Sequence, residues 1–350
     1  MAASPIPLRR DPAVAPSEPA GREWSEVDDL LGAVLDRRYR LIRQLGVGGM
    51  GTVYLAEHAL LGTLCAIKVL GPRYAFDREW VQRFFLEARA ALMIPHENIV
   101  RIHDFAYPEP GRVYMVMELV DGESLADLVE REGALPWRRA LEYADQIAAA
   151  IEAAHARGIV HRDIKPSNCL RCAETDRIKV LDFGIAKFLD PGRAGLAVPR
   201  TSTDVWMGTA EFMAPELFHG ERADERVDVY ALGALMFKLL TGRTPYIGTH
   251  LEVATQMLTQ LPPAASAVAP TERPIPPAVD RLIAGTLVHA PGERTPTMTS
   301  LREQIAAALL DEEALEPTVL YPLSPTLLAP AAEPGRARGA TAANVIRTPA

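Results

Sequence analysis

The side chains best suited to chemistry lie between residues 161 and 184. They read His161-Arg162-Asp163-Ile164-Lys165-Pro166-Ser167-Asn168, then an irregular turn, then Ile178-Lys179-Val180-Leu181-Asp182-Phe183-Gly184. Two carboxylates and an amide share a short polar stretch, and the second carboxylate follows an apolar run of strand length. Phosphoryl transfer needs such a set. One carboxylate accepts a proton from an attacking hydroxyl. The amide and the other carboxylate hold a divalent metal against phosphate oxygens, and Lys165 offsets charge on the moving group.

These groups need elements to position them. Composition permits a large core: 350 residues are 48% hydrophobic and 23% charged, enough for one large domain or two smaller ones. A net charge of −8 and a pI near 5.6 give no footprint for nucleic acid or an anionic membrane. Cys65, Cys169 and Cys172 are too few and too irregular for a disulfide framework, which fits reduced thiols in a cytoplasmic protein. Cys169 and Cys172 form a C-x-x-C, but a zinc site needs two further ligands that the neighbourhood does not offer. No secretory signal and no spanning apolar run is found, so no membrane span is expected.

In chain order, residues 1–36 open Pro-, Ala- and Ser-rich and are expected to be disordered at first, with a short helix over 24–35 leading into the domain. Two strand-like runs, 39–44 and 52–57, flank Gly46-Val47-Gly48-Gly49-Met50-Gly51. A dinucleotide fold would need a helix after such glycines. A strand follows here, which suits a flap over nucleotide phosphates that the glycine backbone can approach closely. Lys68 sits inside the apolar strand 64–70. Glu87, in a helical stretch over 77–93, is placed to pair with it, whereas Arg83 and Arg89 on that helix are read as solvated. Strands over 99–105 and 112–118 lead to a hinge at Met117-Glu118-Leu119-Val120-Asp121-Gly122, where backbone groups would bond an adenine edge and Met117 would line the back of the pocket.

Beyond the hinge the pattern turns helical. Apolar periodicity over 141–156 delivers the chain to His161, with His155 read as structural. Residues 188–206 are loop-like and carry Thr201 and Thr203. Residues 208–216 read Gly-Thr-Ala-Glu-Phe-Met-Ala-Pro-Glu. The run 227–240 is apolar nearly all round and reads as a buried central helix. Helices over 278–288 and 300–310 close the domain, the latter with Ser300 and Glu303 at capping-box spacing. Residues 311–350 are Pro- and Ala-rich and are expected to be disordered. No internal repeat is present.

Taken together, residues 39–310 resemble the protein kinase family, and the glycine-loop form through Thr52-Val53-Tyr54 is most similar to bacterial eukaryotic-like (Hanks-type) serine/threonine kinases. The resemblance implies an α+β bilobal fold: a small antiparallel-sheet N-lobe over 37–118 with one main helix, a hinge over 118–122 and a mostly helical C-lobe over 122–310. It implies Asp163 as catalytic base, Lys165 on the γ-phosphate, Lys68 paired with Glu87, and Asn168 and Asp182 on Mg²⁺, with Mn²⁺ as a substitute ion. ATP would be bound by Gly46, Val47, Gly48, Gly49, Met50 and Gly51, with Lys68 and Asp182 on its phosphate side. Val53, Ala66 and Leu170 would sandwich the adenine, and Met117, Glu118 and Val120 would line the hinge. Thr209 would edge the protein substrate, Glu216 would bind Arg294, and Asp228 would brace the catalytic loop. Arg162 beside Asp163 implies activation by phosphate on Thr201 or Thr203. Protein Ser/Thr acceptors are the implied substrates, with self-association through the N-lobe. A pseudokinase that binds without catalysis would be expected to lack Lys68, Asp163 or Asp182, and a small-molecule kinase to lack the 208–216 segment.

Overall fold

The computed structural model describes residues 30–109, 111–183, 210–218 and 224–311. Six strands form the first sheet: β1 (Val34–Leu35), β2 (Tyr39–Val47), β3 (Gly51–His58), β4 (Leu64–Leu70), β5 (Ile102–Glu109) and β6 (Arg112–Met117), in the antiparallel order β1-β2-β3-β4-β6-β5. Strand alternation sends Cys65, Ile67 and Val69 of β4 to one apolar cluster with Tyr54 and Tyr114. Ala66 and Leu70 go to another with Phe84 and Met115. Both faces of β4 are therefore covered, and Lys68 points to the inner face beside Ala66.

A short helix α1 (Pro72–Ala75) precedes α2 (Arg78–Leu92), which Asp77 caps by accepting the Glu79 N–H at 2.8 Å. Phe84 and Ala88 bury the inner face of α2, and Glu87 shares that face. The second sheet, β7 (Gly122–Ser124), β8 (Cys169–Cys172) and β9 (Ile178–Val180), lies beyond the hinge. Helices α3 (Leu125–Glu132), α4 (Trp137–His155), α5 (Pro215–Phe218), α6 (Arg226–Thr241), α7 (His250–Thr259), α8 (Pro277–Thr286) and α9 (Met298–Leu310) make up the larger lobe. Nearly every residue of α6 is buried, and Gly233 on it lets Thr286 of α8 approach so closely that a Cβ would meet Thr286 Oγ1 at 2.1 Å. The α+β bilobal expectation holds.

Several local readings differ. The described part of the expected 24–35 helix, from Leu30, is a turn followed by β1, whose pairing with β2 starts regular structure ahead of residue 37. Strand β5 begins at Ile102 and not Ile99, because Ile99 is captured by a parallel bridge to Val180 of β9. Arg83 is buried, with its guanidinium 4.8 Å from the Trp80 ring centre, so it is not solvated; Arg89 is exposed as read. Helix α9 starts two residues early: Thr297 caps it by accepting the Ser300 N–H at 3.1 Å, so Ser300 is no cap. Helix α7 forms where the apolar pattern gives no helix, and Thr249 and Glu252 form its capping box.

The segment after the undescribed residues 184–209 is fixed by one buried pair. Arg294, whose side chain is fully buried, bonds Glu216 with both arms at 2.7 and 3.0 Å and donates to the Val288, His289 and Arg226 carbonyls. This is the pairing that the family resemblance implies. Glu216→Ala would leave a buried guanidinium without its counter-ion and is expected to cost about 3–5 kcal/mol. Urea unfolding checks this, and a cost below about 1 kcal/mol would contradict it.

Candidate active site

Three elements bring charge together below the glycine turn. From β4, Lys68 Nζ reaches Glu87 Oε1 of α2 at 2.9 Å and Asp182 Oδ2 at 2.8 Å. The ammonium lies between a carboxylate of the smaller lobe and one that follows β9 in the larger lobe. Burial alone would depress the pKa of Lys68, but Asp182 and Glu87 outweigh it and the net shift is upward. Burial favours a neutral Asp182 as well, yet Lys68 outweighs it and holds the carboxyl below its ordinary value. Glu87 goes the other way: burial, reinforced by Asp182, pushes it up to about 8 against the pull of Lys68. The Glu87 side chain is 8% exposed and that of Asp182 38%, so the more solvated carboxylate keeps the charge.

The loop 161–168 is assembled around Asp228 of α6. This carboxylate, with no exposed surface, accepts the backbone N–H of His161 at 2.8 Å and of Arg162 at 2.7 Å, and bonds His155 Nε2 at 2.8 Å. His155 is therefore structural, as read. Arg162 sits at φ 65° and Asp182 at φ 44°, left-handed conformations that cost a non-glycine residue about 1–3 kcal/mol. Asp228 fastens the first and Lys68 the second. His161 Nδ1 accepts the Asp163 N–H at 3.2 Å, so Nε2 carries the proton and donates to the Leu181 carbonyl at 2.9 Å. Burial holds this imidazole below its usual pKa and hence neutral.

Asp163, Lys165 and Asn168 form one constellation. Asn168 Nδ2 donates to the Asp163 carbonyl at 2.8 Å and to its carboxylate at 2.9 Å. Lys165 Nζ lies 3.1–3.2 Å from the two Asp163 oxygens. With Nδ2 spent on Asp163, Asn168 has Oδ1 left to offer a ligand. Among the described residues no three His, Cys, Asp or Glu gather into a metal site. The amide oxygen of Asn168 and the Asp182 carboxylate are hard donors in small number, which suits an ion that keeps waters and phosphate oxygens as its other ligands. Cys169 and Cys172 are free thiols, and burial raises Cys169 well above the ordinary range, so no reactive pair is built.

The glycines lie where two strands turn. Gly46 and Val47 end β2, Gly51 opens β3, and Gly48 N–H donates to the Gly51 carbonyl at 2.8 Å. A Cβ on Gly51 would meet the Val69 carbonyl at 2.0 Å, so only glycine fits there. Gly49 and Met50 form the tip, and Met50 accepts the Gly71 N–H at 2.8 Å. Ala66 and Met117 belong to the same inner apolar cluster, and the half-buried Val53 and Val120 pack against it. Leu170 of β8 is half-buried and pairs with Lys179. Behind Met117 lies a cavity of about 20 Å³ bordered by Glu87, Asp182 and Phe183. Glu118 has a role the sequence did not suggest: its carboxylate binds Lys179. Thr201, Thr203 and Thr209 lie outside the described residues.

Comparisons with known proteins agree with this geometry. Residues 39–305 match the protein kinase domain. The chain is 38% identical over 319 residues to the serine/threonine-protein kinase PknA of Mycobacterium tuberculosis, covering 90% of this chain and 70% of that one. It is 40% identical over 292 residues to Pkn1 of Myxococcus xanthus (82% and 40% covered) and 37% over 280 residues to PrkC of Bacillus subtilis (80% and 42%). The crystal structure of the Mycobacterium tuberculosis PknI kinase domain is similar with a TM-score of 0.61 at 28% identity, covering 79% of this chain and 98% of that one.

The raised Glu87 sets a pH dependence. Its folded value of about 8 exceeds the ordinary 4.5, so the folded state keeps a proton that the unfolded chain has lost. Stability from this group is full below about 4.5 and falls as pH rises towards 8. In nucleotide-free protein, the stability difference between wild type and Glu87→Gln is expected to move against wild type from pH 5 to 8 in thermal melts. Parallel curves would contradict this.

Proposed function

The chain belongs to the protein kinase family and is an ATP-dependent serine/threonine kinase; from that premise we propose how its residues transfer the γ-phosphoryl group of Mg·ATP to protein hydroxyls and how the enzyme is switched on. The observation that carries the reading is the single ammonium of Lys68 bonded to Glu87 and to Asp182, one carboxylate from each lobe. That contact brings the phosphate-facing lysine and the metal-facing aspartate into one space.

In this reading the glycine turn covers the phosphates and the backbone of 118–120 bonds the adenine edge. Val53 and Ala66 close on one face of the base and Leu170 on the other. Asn168 Oδ1 and Asp182 would hold Mg²⁺, or Mn²⁺ by the same oxygen donors, and a bound ion would supply charge neutralisation to the phosphate oxygens. Asp163 accepts the proton of the Ser or Thr hydroxyl as its oxygen bonds the γ-phosphorus and the bond to the β–γ bridging oxygen breaks, releasing ADP. Lys165, within 3.2 Å of that carboxylate, offsets charge on the transferred group. Thr209 would edge the protein substrate. Retention of Lys68, Asp163 and Asp182 favours catalysis over a pseudokinase.

Arg162 supports a phosphate switch. Burial holds its pKa below the ordinary value against the pull of Asp228, so added negative charge nearby would stabilise the cation. Thr201 and Thr203 are the sites we assign to autophosphorylation. Self-association through the smaller lobe is supported by Leu60 and Leu61, 86% and 71% exposed at the β3–β4 turn. A cytoplasmic setting is supported by the free thiols. The domain we assign spans 37–310, with β1 (Val34–Leu35) joined to the edge of its first sheet.

Phosphosite mapping by mass spectrometry after incubation with Mg·ATP tests the switch. Phosphate on Thr201 or Thr203 is expected, and Thr201→Ala/Thr203→Ala should lower turnover on an added protein substrate by about tenfold or more, a shift of at least 1.4 kcal/mol. Unchanged turnover in the double variant would overturn it.

A further inference from the structure

The hinge holds an ion pair that phosphoryl transfer does not use. Glu118 follows β6 directly. Its Oε1 accepts Lys179 Nζ at 2.7 Å and the Arg101 N–H at 2.9 Å, while its own N–H donates to the Arg101 carbonyl at 2.9 Å. One carboxylate thus joins three stretches: the hinge, the entry to β5, and β9 of the larger lobe. The side chains are 28% and 16% exposed, so water and salt screen the pair less than they would a surface pair. Lys179 is itself well anchored. It pairs across the sheet with Leu170, and the adjacent Val180 donates to the Asn98 carbonyl at 2.8 Å and accepts the Val100 N–H at 3.0 Å.

Resting on the kinase reading above, we infer that the Glu118–Lys179 pair is an interlobe clamp that fixes the hinge backbone for the purine, making Lys179 a positioning residue for nucleotide binding. Backbone groups can recognise a base edge only if their peptide planes are fixed. Arg101 fixes the Glu118 peptide and carboxylate from the smaller lobe, and Lys179 fixes the carboxylate from the larger one. The phosphate end is held by other elements: β4 through Lys68, the catalytic loop through Lys165 and Asn168, and Asp182. Releasing the clamp therefore loosens the purine end and leaves the phosphate end in place. A purely structural ion pair would instead lower thermal stability with no selective effect on the base.

The test uses the full chain and Lys179→Met, with binding of adenosine and of magnesium tripolyphosphate measured by calorimetry beside KM and kcat for ATP. We expect adenosine affinity to fall, and KM for ATP to rise, by about tenfold. Tripolyphosphate affinity and kcat should stay within about twofold, and Lys179→Arg should restore adenosine binding. Glu118→Gln keeps an acceptor for Arg101 while losing the charge, so it should reproduce the selective loss, and adding Lys179→Met to it should add little. Unchanged adenosine affinity in Lys179→Met, or equal loss of adenosine and tripolyphosphate, would overturn the clamp. Because adenosine binding requires no transfer, failure of the kinase reading would show separately, as a wild type that does not phosphorylate.

Discussion

A lysine ammonium inside a sheet must be met by negative charge, and here the two carboxylates that meet it come from opposite lobes. The requirement organises the molecule. Strand alternation turns Lys68 to the inner face of β4. Helix α2 must lie so that Phe84 and Ala88 bury against the sheet and Glu87, on the same face, reaches the ammonium. The chain after β9 must bend through a left-handed residue to bring Asp182 to the same point. One positive and two negative charges in so small a space cannot all be held at full strength, and the cost falls on Glu87, the least solvated of the two acids.

The second fixed point is Asp228. A fully buried carboxylate on the most deeply buried helix is costly unless every lone pair is used, and two backbone N–H groups and an imidazole use it. The loop that presents Asp163 thereby inherits the rigidity of the core. Asn168 then closes the loop on itself through the Asp163 carbonyl and carboxylate. The Asp163 loop stands on a rigid base, and the described segment 210–218 is fixed by Glu216 and Arg294.

Residue type and spacing carried much of this. Lys68 with Glu87 was readable because the lysine falls in an apolar strand that demands a partner. The Asp163–Lys165–Asn168 set was readable from residue type and spacing in a polar loop, and Glu216 with Arg294 was readable only through the family resemblance. The buried helix α6 was readable from its unbroken apolar run. What was missed depends on tertiary capture, which periodicity does not encode. Ile99 reads as strand but is drawn to β9. Arg83 reads as surface but stacks on Trp80. Thr297 and Ser300 compete for one cap, and the earlier residue takes it. Helix α7 exposes Leu251 and Leu258, which blurred its apolar stripe, although Thr249 and Glu252 marked its start. Glu118 and Lys179 lie far apart in sequence, and only the closure of hinge onto β9 brings them together.

In the proposed mechanism Asp163 takes the proton while other residues hold the nucleotide. The most direct measurement compares wild type with Asp163→Asn for phosphoryl transfer to a Ser/Thr peptide, alongside ATP affinity by calorimetry. A fall in kcat of about 10²–10⁴-fold with ATP affinity essentially unchanged is expected. Transfer by Asp163→Asn at the wild-type rate would contradict it.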